Sequence, residues 1–161
     1  MKYFLTLTAS IIIGLILELI SLSSYLEPFR PHFLLMITLF WVYSTKKQFS
    51  IGSAWIVGLI MYIALLYPLG LNALTFAIAT YITKRNKKWL AKLTLLELSS
   101  AFAGFYILQI FLSVIINNMI GRTTSFNFWI FGSVISSVIF WPFVFAILTE
   151  VCATLTITNN K

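Results

Sequence analysis

The chain alternates between long apolar runs and short polar turns along almost its whole length. Charged residues and prolines cluster at the turns, for example from Glu27 to Pro31. The runs are continuous and do not alternate with period two, so they predict helices and exclude a strand-built barrel. A helix that spans a membrane needs about 17 to 25 apolar residues. The six candidate runs cover about residues 3–25, 31–45, 49–67, 69–83, 92–117 and 127–156.

The composition places these runs in a membrane. Hydrophobic residues make up 60% of the chain, charged residues only 9%, and the mean hydropathy is +0.98. A soluble domain of 161 residues would expose apolar patches that it could not cover. We therefore predict an all-α integral membrane protein with one polytopic domain, residues 1–161, and six transmembrane helices. The second and fourth runs are short, so five crossings, with one short run partly in the interface, is the alternative.

The basic residues predict the orientation of the bundle. With the N-terminus inside, nine of the 11 Lys and Arg residues lie on the inner side, and the outer loops keep only Arg30 and Arg122. This asymmetry predicts an N-in, C-in topology. The net charge of +7 does not indicate nucleic acid, because the basic residues stand at run ends and not on one polar face. The largest basic group determines topology or binds anionic lipid or an acidic partner; it comprises Lys84, Arg85, Lys87 and Lys88.

Three glutamates within the runs are candidate intramembrane charges. Glu18 shares a helix face with small residues one and two turns earlier, which predicts a helix contact. Its carboxylate is expected to pair with Arg30 or a partner's donor, or else to extend to the membrane interface. Glu97 and Glu150 are expected to be interfacial charges paired with nearby lysines.

The sequence contains no arrangement typical of an enzyme or a metal site. His32 is the only histidine and Cys152 the only cysteine, so no pair of ligands has zinc-site spacing. The chain has no Asp, which excludes an intramembrane aspartyl dyad, and it has no Gly-x-Ser-x-Gly turn. We predict no catalytic residue, no cofactor and no metal, and we class the protein as a non-enzyme.

Small residues and tryptophans predict how the helices pack. Three pairs have small-xxx-small spacing, which lets backbones approach closely, either within the bundle or against another membrane protein. Trp41 lies near the end of a run, as interfacial anchors do. Pro142, after Trp141, lies inside the last run and predicts a kink. The small pairs are Ala54 with Gly58, Ser100 with Gly104, and Gly132 with Ser136.

The order of several local motifs resembles the MreD family over nearly the whole chain. Arg30-Pro31 matches the opening of the family's second helix, and Phe40-Trp41 matches an aromatic pair that follows it. Gly52 matches a glycine that begins the third helix, and Trp141-Pro142 matches a motif near the C-terminus.

One stretch departs from the family pattern. Gly58 and Gly70 match the ends of a motif that reads roughly Gly-x-x-x-Asp-x-x-x-Gly-x-x-x-Gly. Tyr62 stands at its Asp position and Leu66 at its middle glycine. A phenol can form hydrogen bonds but cannot replace a carboxylate, so the resemblance leaves a structural role for Tyr62.

The resemblance implies a non-enzymatic scaffold of the bacterial cell-elongation complex, a multi-pass protein of the cytoplasmic (inner) membrane that supports peptidoglycan synthesis. Its direct partner would be the bitopic protein MreC, bound through helix packing. The glycosyltransferase RodA, a class B penicillin-binding protein and the actin-like MreB would be indirect partners, membrane lipid would surround it, and no small-molecule substrate is expected.

A distant likeness of the family to the substrate-binding subunits of energy-coupling-factor transporters implies an alternative. In that case the chain would bind a vitamin or another small molecule in an outward-facing polar pocket. The residues available to line it are Glu18, Arg30, Tyr67, Asn72, Asn117 and Arg122.

Overall fold

The computed structural model describes residues 2–20, 29–44, 49–65, 70–119, 121 and 131–157. These residues form seven α-helices, which confirms the predicted all-α class. Lys46, Lys47, Leu66, Tyr67, Arg122 and Lys161 lie outside the described residues. The helices are α1 (Lys2–Leu19), α2 (Phe33–Ser44), α3 (Ile51–Leu65), α4 (Leu71–Arg85), α5 (Lys87–Leu90), α6 (Leu95–Met119) and α7 (Gly132–Ile157).

The turn between α4 and α6 differs most from the sequence prediction. α4 continues to Arg85, the four-residue α5 follows, and α6 begins at Leu95 instead of at residue 92. Thr94 sets this start because it forms a capping box with Glu97. The Thr94 backbone N–H donates to Glu97 Oε2 at 2.7 Å, and the Glu97 N–H donates back to Thr94 Oγ1 at 3.4 Å.

Gly70 sets the start of α4. Its φ is +84°, in the left-handed region that favours glycine. Its carbonyl accepts a hydrogen bond of 2.9 Å from the Leu74 N–H. A residue with a side chain would be strained here, which accounts for glycine at this position.

α2 is the central helix of the bundle. It packs against α1, α4 and α7, while α3 packs on α4, and α6 packs on both α4 and α7. Every residue of α2 from Leu34 to Val42 is buried. A helix that is apolar on all sides is buried on all sides, so α2 forms the core on which α1, α4 and α7 pack.

The bundle differs from a soluble protein in that many large apolar side chains are exposed, while several polar side chains lie within its largely apolar core. Large apolar side chains such as Phe4, Ile63 and Leu96 are 70–75% exposed. Polar side chains such as Asn72 and Thr38 are almost fully buried. Two helical segments, Leu95–Met119 and Gly132–Ala153, are long and apolar enough to cross a membrane. An apolar exterior around a partly polar interior is what a bilayer demands of a protein.

Candidate functional site

Glu18 lies at the end of α1 and is buried, with its side chain 4% exposed. Its Oε1 lies 3.5 Å from His32 Nδ1, and its Oε2 accepts a long hydrogen bond of 3.4 Å from the Leu34 N–H. The prediction that Glu18 pairs with Arg30 or extends to the interface is therefore wrong. α2 approaches α1 so closely that the carboxylate meets the first turn of α2 instead.

His32 connects the start of α2 to two further helices. Its backbone N–H donates to Ser137 Oγ of α7 at 3.1 Å. Its ring stacks on Tyr106 of α6, with centroids 6.0 Å apart and planes 25° apart. Tyr106 is fully buried, and its hydroxyl has no hydrogen-bond partner among the described residues. Glu18, His32, Tyr106 and Ser137, here called the Glu18 cluster, thus join four parts of the bundle.

A second buried polar contact joins α4 to α6. Gln109 Nε2 donates to Asn72 Oδ1 at 3.3 Å, and both side chains are buried. The other polar atom of each side-chain amide has no hydrogen-bond partner in the described part of the chain; these atoms are Asn72 Nδ2 and Gln109 Oε1. Gln109 lies one helical turn after Tyr106, so both polar contacts use the same face of α6.

Arg30 lies just before α2 and is half-buried. Its Nε and Nη2 are shielded from solvent and have no hydrogen-bond partner among the described residues. Pro31, the next residue, is buried, and its carbonyl accepts a hydrogen bond of 3.0 Å from the Phe33 N–H. Pro31 therefore belongs to the tight entry into α2.

The two tryptophans of the family motifs are core residues. Trp41 is 1% exposed, and its Nε1 donates to Ser10 Oγ of α1 at 2.7 Å, so its expected position as an interfacial anchor is wrong. Trp141 of α7 is fully buried and meets Phe102 of α6 edge to face, with centroids 4.7 Å apart. Pro142 lies inside α7, half-buried, and the helix continues through it.

Gly58 of α3 marks a close approach between helices. A Cβ placed on it would lie 2.5 Å from the Cα of Ala73 in α4, closer than side chains tolerate. Gly52, near the start of α3, is exposed, and a Cβ there would meet only Ser50 Oγ at 3.6 Å. Tyr62, one turn after Gly58, is half-buried, and the structure gives it no hydrogen bond to another described residue. Of the two glycines, only Gly58 lies where a larger side chain would not fit.

The other two glutamates predicted within the apolar runs lie outside the Glu18 cluster. Glu97 is exposed, and its carboxylate bonds to Thr94, which corrects its expected pairing with a lysine. Glu150 is exposed on α7. Nowhere in the described part of the chain do three His, Cys, Asp or Glu side chains come together as metal ligands would.

The basic turn is exposed. Lys84 and Arg85 form the last turn of α4, and Lys88 lies in α5. All three are exposed, whereas Lys87 is half-buried. The Arg85 Nη1 donates to the Tyr81 hydroxyl at 3.1 Å.

Most members of the Glu18 cluster have no clear signal in the sequence. His32 is a candidate only as a metal ligand, and no motif identifies Tyr106 or Ser137 of the cluster, or the neighbouring Gln109. The available signal was weak, although Gln109 is the only amide between Leu95 and Ile116 in a long apolar run. Two lone polar residues a turn apart in such a run are expected to face the protein and not the lipid.

Together these contacts define an all-helical protein with several polar contacts in an apolar core, many exposed apolar side chains, and two helices long enough to cross a membrane. The family whose sequence profile is described as "rod shape-determining protein MreD" matches residues 1–151, so the chain belongs to the MreD family. A relative from Haemophilus influenzae (strain ATCC 51907 / DSM 11121 / KW20 / Rd), named "Rod shape-determining protein MreD", is 25% identical over 146 residues. That alignment covers 91% of this chain and 90% of the relative. No solved structure matches the chain.

Proposed function

We propose that this chain is a non-enzymatic scaffold of the bacterial cell-elongation complex, and that it binds MreC by helix packing in the cytoplasmic membrane. Its role in rod-shape determination follows from membership of the MreD family over residues 1–151, and this observation carries the proposal. Through MreC it would act on RodA, a class B penicillin-binding protein and MreB, and so support peptidoglycan synthesis.

The proposed membrane arrangement has six crossings with both termini inside. α1, α2, α3, α4, α6 and α7 cross, and α5 lies at the inner surface. α2 has 12 residues and α3 and α4 have 15 each. At 1.5 Å per residue these helices are shorter than a hydrocarbon core of about 30 Å. The bilayer would therefore thin locally around them, or flanking residues would complete the crossing.

The outward face of α6 is the proposed contact for the MreC helix. Leu96, Ser100, Gly104, Ile107 and Phe111 recur every three or four residues and are all exposed. Nothing lies within 4 Å of a Cβ placed on Gly104, so a partner backbone has room to approach. The Ser100 hydroxyl donates to the Glu97 carbonyl at 2.8 Å, which satisfies it within its own helix. Small residues flanked by large apolar ones are typical of helix contacts in membranes.

The decisive experiment is recovery of the complex from co-expressed tagged MreC in mild detergent. Gly104→Leu places a bulky side chain at the proposed crossing and is expected to lower recovery severalfold. Ala146→Leu is the matched control, because Ala146 is also small, exposed and inside a long helix, α7. If both variants recover equal amounts of MreC, the contact with MreC does not lie on this face of α6. No MreC with the native chain, together with normal rods after depletion of the protein, would end the scaffold proposal.

A second candidate function, binding of a vitamin or another small molecule, draws support from the unpartnered buried polar atoms of Asn72, Gln109 and Tyr106. Ligands commonly satisfy such groups. Of the other residues first considered for such a pocket, Asn117 bonds within its own helix, to the Ser113 carbonyl at 2.9 Å. Native mass spectrometry of the purified chain tests this function, and a stoichiometric retained vitamin would favour it over the scaffold.

A further inference from the structure

The segment from Tyr81 to Lys92 forms one almost continuous helical surface across the boundary between α4 and α5. The Asn86 N–H donates to the Ile82 carbonyl at 3.0 Å, and the Leu90 N–H donates to the Asn86 carbonyl at 2.9 Å. Helical hydrogen bonds therefore continue through the boundary, so side chains three and four residues apart share a face. Thr83 and Leu90 form the buried side of this segment.

The exposed side of the segment is strongly basic. We call Tyr81, Lys84, Arg85, Lys88, Trp89 and Lys92 the basic face, and all six are exposed. No acidic residue occurs between Thr80 and Leu96, and the first one beyond, Glu97, has its carboxylate bonded to Thr94. Within the described residues no ion pair neutralises the four cations of the basic face. The surface is thus free to bind an anion.

One cation of the basic face is held in position. The Tyr81 hydroxyl accepts a hydrogen bond of 3.1 Å from Arg85 Nη1, one helical turn away. This bond reduces the freedom that the guanidinium would lose on binding an anion. A guanidinium with its remaining donors exposed is suited to bidentate binding of phosphate.

The neighbourhood of the basic face distinguishes between anionic partners. α6 begins at Leu95 only three residues after Lys92, and Leu95 and Leu96 are exposed apolar side chains. Trp89, within the face itself, is 58% exposed. A phospholipid presents a phosphate directly beside acyl chains, and indole rings favour that boundary. An acidic protein in water would gain nothing from the apolar half of this surface.

We propose that the basic face is a binding site for the phosphate head groups of anionic phospholipids, with the acyl chains lying along the exposed start of α6. Lys84, Lys88 and Lys92 supply attraction, and Arg85, held by Tyr81, supplies directed hydrogen bonds to the phosphate. The acyl-chain part of this site shares Leu96 with the proposed MreC contact, but the six residues of the basic face lie outside that contact. Head-group binding can therefore be tested on the purified chain alone.

The test is lipid retention by the full chain, measured by native mass spectrometry while cardiolipin or phosphatidylethanolamine is titrated into the detergent solution. Cardiolipin is expected to bind more tightly than the net-neutral lipid. Lys84→Gln/Lys88→Gln is expected to weaken cardiolipin binding by about 30-fold, which is about 5-fold for each basic residue removed from an anionic surface. Tyr81→Phe, which keeps all charges, is expected to weaken it about 2-fold by releasing Arg85.

Two controls separate a built site from general charge. Lys84→Arg/Lys88→Arg keeps the charges and should retain cardiolipin. Lys46→Gln/Lys47→Gln removes the same charge from another part of the sequence and should weaken cardiolipin binding much less. Circular dichroism and elution volume check that each variant folds. Equal loss in both glutamine variants, or undiminished cardiolipin binding by Lys84→Gln/Lys88→Gln, overturns the proposal even if an acidic protein co-purifies with the basic face.

Discussion

The indole Nε1 of Trp41 donates a hydrogen bond of 2.7 Å to the hydroxyl of Ser10, a residue 31 positions earlier in the chain. Both side chains are buried, and the bond ties the centre of α1 to the C-terminal part of α2. The same serine hydroxyl donates to the Leu7 carbonyl at 2.9 Å. The Ser10 hydroxyl therefore links the backbone of α1 to the buried Trp41 of α2 through two hydrogen bonds.

Ser10→Ala is expected to destabilise the protein, because it leaves the buried indole N–H without this acceptor. Such a loss costs about 1–3 kcal/mol, and for a chain of this size each kcal/mol lowers the melting temperature by about 2–4 °C. The control is Ser99→Ala, because Ser99 is equally buried but bonds only to the Leu96 carbonyl of its own helix. Thermal unfolding in detergent measures both. If the two variants had equal melting temperatures, the hydrogen bond between Trp41 and Ser10 would not be stabilising the bundle.

The contact between Gly58 and α4 predicts an unusual response to alanine. Gly58→Ala places a Cβ 2.5 Å from the Ala73 Cα, and backbone atoms on both sides must move apart. Overpacking of this kind costs about 1–3 kcal/mol, although alanine favours helix more than glycine does. Gly104→Ala, with nothing within 4 Å of the new Cβ, should be neutral or stabilising. A Gly58→Ala variant that melts at or above the native temperature would contradict the packing.

The contact between Glu18 and His32 predicts energetic coupling between α1 and α2. We expect Glu18→Gln and His32→Phe to be non-additive, with an interaction energy of about 0.5–3 kcal/mol. Phe preserves a ring against Tyr106 while removing both nitrogens, so the cycle isolates the polar contact. Glu97→Gln combined with His32→Phe is the control and should be additive, since the Glu97 carboxylate bonds to Thr94. Additivity in the Glu18 cycle as well would mean that the two side chains do not interact.

The proposed topology predicts the sides on which the turns lie. A reporter fused after Asn86 is expected inside the cell, and one fused after Gly121 outside. Lys84→Gln/Arg85→Gln/Lys88→Gln removes three of the four charges of the largest basic group and should lower the fraction of chains with the normal orientation. Alkaline phosphatase and green fluorescent protein fusions give opposite readouts at each position. An active phosphatase fused after Asn86 would place this turn outside the cell and contradict the proposed topology.

The helices and their order were predictable because each is a long apolar run between polar turns. The short α5 was missed, since four residues in a basic turn have no periodicity to reveal them. The face of α1 that contains Glu18 followed from helical spacing, but its partner did not. Identifying His32 requires knowing how α2 approaches α1, and α2 is apolar on every side, so its sequence does not mark its orientation.

Trp41 illustrates the same limit. Its position near the end of an apolar run indicates an interfacial anchor. However, position along a run does not determine which way a side chain points. Because α2 is surrounded by other helices, even a residue near its end is enclosed. Conversely, the exposed Ser100 and Gly104 belong to a spacing motif that the sequence could identify but could not orient.

The reciprocal hydrogen bonds between Thr94 and Glu97 close the first turn of α6, the long apolar helix that follows the basic face. Backbone donors that would otherwise need water are satisfied before the chain enters hydrocarbon. In the proposed membrane arrangement, moving α6 deeper would take the Glu97 carboxylate and the four cations of the basic face out of water, whereas moving it outward would expose Leu95 and Leu96 to water. In that arrangement the Thr94–Glu97 capping box marks the depth at which α6 enters the bilayer.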